Sequence, residues 1–229
     1  MSEPEAVVDV IRAEEADAGV LSQLVADAFL DLPPSWWLIP DQAIRRRVFP
    51  DYFRIFVDAA LADGIVQTTP DRSAVAIWLP SGHSAEPPPT ADGRPSLPAD
   101  DPPPADGPSP THEPDDYLAR LTAITQPWID RFLAFDAAIE NRHPHEPAHH
   151  HLAFLAVRPD RQGLGIGSAL LQAHHQFLDT QNLPAYLEAS HPRNRQLYLR
   201  HGYTDLGPPN YLPDAGPPMY PMWRDPKLP

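Results

Sequence analysis

The feature that most constrains the fold is a glycine-rich stretch, VRPDRQGLGIGSALL, which runs from Val157 to Leu171. It follows an apolar run, HLAFLAV at residues 151–157, that is short enough for a central strand. The alternate glycines are Gly163, Gly165 and Gly167. After them comes a helical pattern with the predicted buried face Ile166, Leu170, Ala173 and Phe177. The stretch therefore predicts a strand, a glycine turn and a helix, in that order.

A strand-to-helix turn of this kind is suited to binding a phosphate or pyrophosphate. The first helical turn offers N–H groups without an internal partner and the positive end of the helix dipole, and glycines let an anion approach the backbone. A P-loop would end in Gly-Lys-Ser/Thr, whereas this turn continues with Ser168 and has no lysine. A Rossmann fingerprint fits loosely, with Glu188 as its acidic residue, but Ser168 stands where the third glycine belongs. Tight strand–helix packing without a ligand remains the other interpretation.

The composition is ordinary for a soluble protein and favours a small-molecule partner. A chain of 229 residues with 42% hydrophobic residues can form one sizeable core or two small ones, and a single domain over residues 1–229 is the default expectation. The net charge of −14, with Lys227 as the only lysine, argues against a nucleic-acid partner and favours basic small molecules.

The absence of cysteine excludes disulfides and thiolate chemistry. No leader and no apolar run long enough for a bilayer are found, which predicts a cytoplasmic protein with no membrane partner; a homodimer is compatible with these features.

A proline-rich segment, Glu86 to Pro114, interrupts the chain. It contains eleven prolines, and Leu97 is its only large aliphatic residue. Such a segment buries too little surface to offset the entropy of ordering it, so we expect a disordered insert within the domain. A tolerated surface insertion is the favoured interpretation, and binding of a partner through the proline-rich string is the alternative.

Elements on either side of the insert follow from hydrophobic periodicity. Val8 and Val10 predict a first strand, and a helix follows with its buried face at Leu21, Leu24, Val25 and Ala28. The segment LPPSWWLIPD is predicted as a loop, and a second helix carries the stripe Phe49, Tyr52, Phe53 and Phe56. Two strands are predicted at Ile65–Thr69 and Ser73–Leu79. Beyond the insert, Leu118 and Leu121 indicate a helix that Pro127 interrupts before Trp128, Phe132 and Phe135.

The segment from Gln162 to Gly167, QGLGIG, fits the Gln/Arg-x-x-Gly-x-Gly/Ala signature, and the chain resembles the GNAT superfamily of acyl-CoA-dependent N-acetyltransferases. More narrowly, SAVAIWLP, HEPAHHHLAFLAVRPDRQGLGIGSALL and YLEASHPRNRQLYLRHGYT resemble the puromycin N-acetyltransferase branch. The resemblance covers nearly all of the chain except the insert. It implies an α/β (α+β) GNAT fold: a mixed, mostly antiparallel sheet, splayed after the His151 strand, with helices on both faces.

The resemblance also implies where acetyl-CoA binds. The strand end would hold the pantetheine arm through its main chain, the turn would hold the pyrophosphate through its amides, and an asparagine after the next strand would contact the CoA arm. The corresponding residues here are Leu155, Ala156, Val157, Arg161, Gln162, Gly163, Leu164, Gly165, Ile166, Gly167, Ser168 and Asn194. Asn194 is also a residue type that favours a helix N-cap, and the two roles are compatible.

Amine acetylation needs one group to take the amine proton and another to protonate the departing thiolate. Tyr198, four residues after Asn194, matches the family tyrosine that reaches the thioester sulfur; a half-buried packing role is the alternative. His151 occupies the place of a family Glu or His that receives the amine proton through water, and histidine titrates near neutrality. A solvent-bonded rim histidine is the alternative there. Glu188 is the rival base or a cation-binding carboxylate.

The histidine-rich segment HPHEPAHHH also raises the question of a metal site. It contains His143, His145, Glu146, His149, His150 and His151. Pro144 and Pro147 break the helical spacing that would gather ligands on one face, and the segment is predicted to begin as a loop. The sequence therefore predicts no metal.

For the acceptor amine, the resemblance points to the loop between the first two helices and to the last strands. These offer Trp36, Trp37, Tyr211 and Tyr220, aromatic walls suited to a flat or hydrophobic amine. The expected reaction is transfer of acetyl from acetyl-CoA to the primary amine of a small molecule, with an antibiotic-like or aminonucleoside compound suggested by the branch. Acetylation of a protein N-terminus or lysine, and non-catalytic binding of acyl-CoA, are the alternatives.

Overall fold

A computed structural model of the chain describes residues 8–82 and 114–227. Most of the proline-rich insert, residues 86–113, lies outside the described residues, while Pro114 begins a helix. In the described part of the chain, no helix is both long and apolar enough to cross a membrane.

A single mixed sheet organises the fold. Its strands are β1 (Ile11–Arg12), β2 (Ile65–Thr68), β3 (Ala74–Ser81), β4 (His149–Val157), β5 (Ala185–Ala189), β6 (Thr204–Asp205), β7 (Asn210–Tyr211) and β8 (Pro218–Arg224). The spatial order is β1, β2, β3, β4, β5, β8, β6, with β7 also pairing with β8. Strands β4 and β5 run parallel, and the other paired strands run antiparallel. The predicted mixed, mostly antiparallel sheet is confirmed.

Helices cover both faces of this sheet. They are α1 (Ala18–Phe29), α2 (Pro33–Leu38), α3 (Gln42–Asp63), α4 (Pro114–Thr125), α5 (Ile129–Glu140), α6 (Ile166–Gln181) and α7 (Pro192–Arg200). Buried residues of α1 to α5 form one core cluster with β2, β3 and β4. Buried residues of α6 and α7 form a second cluster against the other face. We call these sides the α1–α5 face and the α6–α7 face.

Three local predictions differ from the structure. The first strand is Ile11–Arg12, because pairing with Gln67 and Thr68 of β2 selects those two residues rather than Val8 and Val10. The segment predicted as a loop at residues 32–41 contains α2, which begins at Pro33, a residue whose fixed φ suits a first helical turn.

The buried face of α6 is the third difference. Phe177 is 43% exposed, and the buried residues are instead Leu170, Leu171, His174, His175 and Leu178. The sequence pattern does not indicate this face because two of its members are histidines, which a hydrophobic pattern treats as polar. His174 stacks on the Trp78 indole with ring centroids 4.0 Å apart, and its Nε2 lies 3.0 Å from Nδ1 of His150. His175 pairs through Nε2 with the Tyr203 hydroxyl at 3.0 Å.

These buried histidines make the stability of the fold sensitive to acid. Burial, followed by neighbouring positive groups, lowers the pKa of both His174 and His175 to about 3. An unfolded histidine has a pKa of about 6.5 and therefore takes up protons first as the pH falls. The stabilisation is thus complete above about pH 6.5 and is lost progressively towards pH 3.

We therefore expect urea unfolding to give a free energy at pH 5 that is lower than at pH 7.5 by about 2 kcal/mol for each of the two histidines, since one pKa unit corresponds to about 1.4 kcal/mol. His174→Leu should be less stable at pH 7.5, because it loses the Trp78 stack, but its stability should fall less steeply with acid. Equal unfolding free energies for the unmodified chain at both pH values would contradict this interpretation.

Candidate active site

The site begins where β4 and β5 separate. The two strands pair only at His150 with Ala185 and at His151 with Tyr186. Beyond His151, β4 keeps its pairing with β3 but has no pairing with β5. The predicted splay after the His151 strand is therefore present. It leaves the β5-facing edge of β4 with backbone groups free to bond an extended ligand.

A bulge in β4 accompanies this separation. The pairing steps from Phe154 opposite Ile77 to Leu152 opposite Trp78, so Ala153 has no direct partner on β3. An extra residue of this kind bends a strand and changes which side chains share a face. Ala153 and Phe154 both pack on the α1–α5 face, whereas Leu152 and Leu155 pack on the α6–α7 face.

The glycine turn at the end of β4 has the backbone that the sequence predicts. Gly163 and Gly165 have φ values of +81° and +78°, in the left-handed region that glycine adopts without strain. Gly165 is the N-cap of α6 and offers no side-chain cap, so the first N–H groups of α6 have no intrahelical partner. A Cβ at Gly163 or Gly165 would meet nothing within 4 Å, which means that conformation, rather than packing, requires glycine there.

The other predicted cofactor residues lie around this turn. Gln162 donates from Nε2 to the Val157 carbonyl at 3.1 Å, and Nε2 of His201 lies 3.0 Å from the Ser168 hydroxyl. Arg161 donates to Asp71 at 3.2 Å and, with Ile166, lines a cavity of about 250 Å³. A Cβ at Gly167 would lie in ordinary contact with side chains of Leu155 and Val157, so α6 starts directly against the strand end.

Helix α7 carries Asn194 and Tyr198 one turn apart. The helix N-cap is His191, whose Nδ1 accepts from the Arg193 amide at 3.0 Å, so the alternative role of Asn194 as the cap is wrong. The Tyr198 ring is 8% exposed and packs against Tyr203 at 5.8 Å between centroids. Burial raises the pKa of Tyr198 well above its ordinary value, so its phenol stays protonated at working pH.

His151 and Glu188 form a buried pair on the α1–α5 face. The atoms His151 Nε2 and Glu188 Oε2 lie 3.0 Å apart, and the two side chains are 16% and 6% exposed. Burial alone would raise the pKa of Glu188. The charge on His151 and the hydrogen bond that His151 donates lower this pKa by more, so it is lowered overall. An ionised carboxylate can only accept, so His151 donates from Nε2 and its Nδ1 can receive a proton.

A second histidine pair lies next to this one. His143, just beyond α5, packs its ring edge-to-face on His151 at 4.8 Å, and its Nε2 lies 3.2 Å from Nε2 of His149. Nδ1 of His149 lies 2.8 Å from the Pro147 carbonyl and must carry the proton of that bond. Burial is the main cause that lowers the pKa of His143 to about 4, and it also lowers the pKa of His149.

Three of these residues have the ligand types that zinc takes. Ligand atoms of His143, His151 and Glu188 all lie within 4.8 Å of one another. In the described ranges these are the residues that could hold such an ion, which needs nitrogen and oxygen ligands at about 2.0–2.2 Å. The direct hydrogen bond between His151 and Glu188 already uses one ligand atom of each. The absence of a metal remains a prediction from the sequence.

The four aromatic residues predicted for the acceptor do not share one wall. Trp37 packs on the α1–α5 face and donates from Nε1 to the Pro213 carbonyl at 3.1 Å, while Trp36 is 52% exposed. Tyr220 packs on the α6–α7 face beneath Arg195, and Tyr211 is 65% exposed. Of the four, Trp37 is therefore the one packed on the same face as His151 and Glu188.

Sequence reasoning missed Tyr186, which packs against both His143 and His151 with centroids 4.8 and 5.6 Å apart. A signal was available, because Tyr186 precedes Glu188 by two residues on a strand and so shares its face. The sequence marks His143 only as a potential metal ligand, since nothing in it indicates that the end of α5 returns to β4.

The comparisons with known proteins agree with this geometry. Residues 130–205 match the family model described as an acetyltransferase (GNAT) domain. This range runs from the second residue of α5 through β4, the glycine turn, α6, β5 and α7 to the end of β6. The fold is that of the GNAT acetyltransferases, and together with the domain match it supports an N-acetyltransferase enzyme.

Solved structures with the same fold cover nearly the whole chain. One, from Corynebacterium glutamicum ATCC 13032, is described as a histone acetyltransferase HPA2 and related acetyltransferase; it is 23% identical, with 97% of this chain and 98% of that chain covered and a TM-score of 0.63. Another is arylalkylamine N-acetyltransferase 2 from Aedes aegypti, 10% identical, with 96% and 99% covered and a TM-score of 0.62. At these identities the likeness establishes the fold.

Proposed function

We propose that the protein transfers an acetyl group from acetyl-CoA to the primary amine of a small molecule by direct attack on the thioester. The observation that carries this proposal is the separation of β4 from β5 immediately after His151, with the glycine turn at the far end of the same strand. A ligand held along the open edge of β4 would have its phosphates at the turn and its reacting end beside the His151–Glu188 pair.

The cofactor would be bound mainly through the main chain. Leu155, Ala156 and Val157 would pair with the amide groups of the pantetheine arm, and the amides from Arg161 to Ser168 would hold the pyrophosphate. Asn194 would contact the arm from α7. This binding depends on backbone geometry, which explains why the turn has glycines rather than charged residues at its central positions.

Two proton transfers would follow from the side chains already described. His151 would receive the amine proton at Nδ1, directly or through water, while Glu188 fixes its ring and stabilises the imidazolium that forms. The amine nitrogen would then bond to the thioester carbonyl carbon, and the carbon–sulfur bond would break. Tyr198 would give its phenolic proton to the departing CoA sulfur.

For the acceptor, we favour an aromatic or otherwise hydrophobic amine of the antibiotic-like or aminonucleoside kind. The resemblance to the puromycin N-acetyltransferase branch supports this class, and the Aedes aegypti neighbour is named as an arylalkylamine acetyltransferase. Acetylation of a protein N-terminus or lysine, and non-catalytic acyl-CoA binding, are the competing functions that the first experiment separates.

The first experiment measures free thiol released from acetyl-CoA in the presence of aminonucleosides, arylalkylamines, peptides or no acceptor. We expect release with the small amines. Gly165→Val should abolish it, because a β-branched residue is strained at a φ of +78° and would displace the amides of the turn. Gly207→Val is the matched control, since Gly207 has a φ of +89° and lies between β6 and β7, outside the glycine turn. Release with peptides alone would favour the protein-acetylating alternative.

Tyr198→Phe tests the proposed acid. The ring and its packing are kept and only the hydroxyl is lost, so the thermal midpoint should hardly change. The turnover number should fall by about 100-fold or more, with little change in acetyl-CoA affinity, because a general acid acts only as charge develops on sulfur. Full turnover in the variant, under conditions where chemistry limits the rate, would leave Tyr198 as a packing residue.

His151→Ala tests the proposed base through its pH profile. A base must be unprotonated to act, so the unmodified enzyme should lose kcat/KM as the pH falls, and the variant should be slower with that acidic limb flattened. Glu188→Gln keeps a hydrogen-bond acceptor for His151 but removes the charge, so we expect a smaller loss. A His151→Ala profile of unchanged shape and height would transfer the role of base to Glu188 or to solvent.

A further inference from the structure

Asp136 is a half-buried carboxylate that the proposed mechanism does not use. The Tyr117 hydroxyl donates to its Oδ2 at 2.7 Å. Among residues 8–82 and 114–227, no lysine or arginine pairs with it, whereas Asp58 of α3, which is also partly buried, pairs with Arg54 and Arg120. Burial raises the pKa of Asp136 to about 6 despite the hydrogen bond from Tyr117. At neutral pH it is therefore a largely ionised group without a counter-ion in the described chain.

A second tyrosine lies near this carboxylate. Tyr52 on α3 is 3% exposed, and its ring packs on Phe56 at 5.2 Å between centroids. Burial, and next the nearby charge of Asp136, raise the pKa of Tyr52 well above its ordinary value. Tyr52, Tyr117 and Asp136 thus bring two hydroxyls and one carboxylate together, with one hydrogen bond joining them.

Aromatic rings connect this polar group to β4. Tyr117 packs on Phe56 at 6.2 Å, and Phe56 packs on Phe154 at 5.2 Å between centroids. Phe154 lies directly after the bulge of β4, on the face that also carries His151. Tyr117, Phe56 and Phe154 are each only partly buried, and we call their three rings the ring wall. Rings of this kind also attract organic cations.

The α5 helix makes the second connection. Asp136 and His143 are seven residues apart, which places them on the same side of a helix and about 10 Å apart along its axis. The helical hydrogen-bonding continues past α5, since the amides of Asn141 and His143 donate to the carbonyls of Ala137 and Ile139 at 3.1 Å. His143 in turn packs on His151.

We propose that Asp136, together with the hydroxyls of Tyr52 and Tyr117, binds a second, cationic group of the acceptor, while the reacting amine lies beside His151. The ring wall from Tyr117 to Phe154 would hold the hydrophobic part between the two ends. The acceptor class is therefore an aromatic diamine or a similarly cationic aromatic amine. This inference rests on the proposed function for the identity of the reacting site.

The test compares phenethylamine with its para-aminomethyl derivative, which adds a second ammonium group. Isothermal titration of the full chain should show tighter binding of the diamine, by about 10-fold or more, as expected for one charge-assisted contact. Asp136→Asn keeps the size of the side chain and an acceptor for Tyr117 but removes the charge. It should abolish the preference, so that the variant binds the diamine no more tightly than phenethylamine. Asp130→Asn, the same change on the exposed first turn of α5, is the matched control and should keep the preference.

Several results would overturn the proposal. The unmodified chain would contradict it by binding both amines equally or by binding neither. The Asp136→Asn variant would contradict it by keeping the preference for the diamine, or by showing lower stability to heat as its only defect. In the last case the Tyr117–Asp136 bond would serve only to join α4 to α5. Preferential diamine binding that disappears in Asp136→Asn, but without any thiol release from acetyl-CoA, would support this site and contradict the proposed acetyl transfer.

Discussion

The rest of the structure depends on how far β4 pairs with β5. Pairing over His150 and His151 alone joins the two halves of the sheet, because β1, β2 and β3 reach β4 from one side and β8 and β6 reach β5 from the other. A longer ladder would close the edge of β4, and no pairing would separate the halves. The short contact holds His151 opposite Tyr186, and two residues farther along β5 it places Glu188 within hydrogen-bond distance of His151.

The same arrangement also lowers the pKa values of the surrounding histidines. His143 and His149 lie on the α1–α5 face, and His150 and His174 lie on the other, so the beginning of β4 is covered by imidazoles on both sides. Burial lowers the pKa of each of these four groups. Because these four histidines are neutral, they add little positive charge near Glu188. The negative charge of the Glu188 carboxylate therefore acts mainly on His151.

Much of the fold could be predicted from the sequence, because strand and helix periods and the glycine turn are local signals. The order strand, turn, helix around Gly163 and Gly165 is confirmed, with the positive φ values that only glycine accepts easily. Helix α2 was missed because two prolines and two tryptophans are typical of a loop when tertiary packing is ignored. The exposure of Phe177 was missed because His174 and His175 take the buried positions through partners distant in sequence, Trp78 and Tyr203.

The site was predictable where it is continuous in sequence and not where it depends on long-range packing. The strand end and the turn form one segment, so their residues could be named in advance. The approach of His143 to His151, and of Asp136 to Tyr117 and Tyr52, depends on how α4 and α5 lie on α3, which no local pattern encodes.

The open edge of β4 differs from the edge of an ordinary sheet in where it lies. A strand at the rim of a sheet is exposed to other polypeptide chains, and proteins protect such rims with charges, prolines or bulges to prevent aggregation. Here the unpaired edge lies in the interior of the sheet, and β5 stands beside it as the strands diverge. Pairing of this edge with another protein would require a foreign strand to enter between two strands of the same sheet. The position of the edge therefore protects it from edge-to-edge association, as charges and prolines do at an ordinary rim.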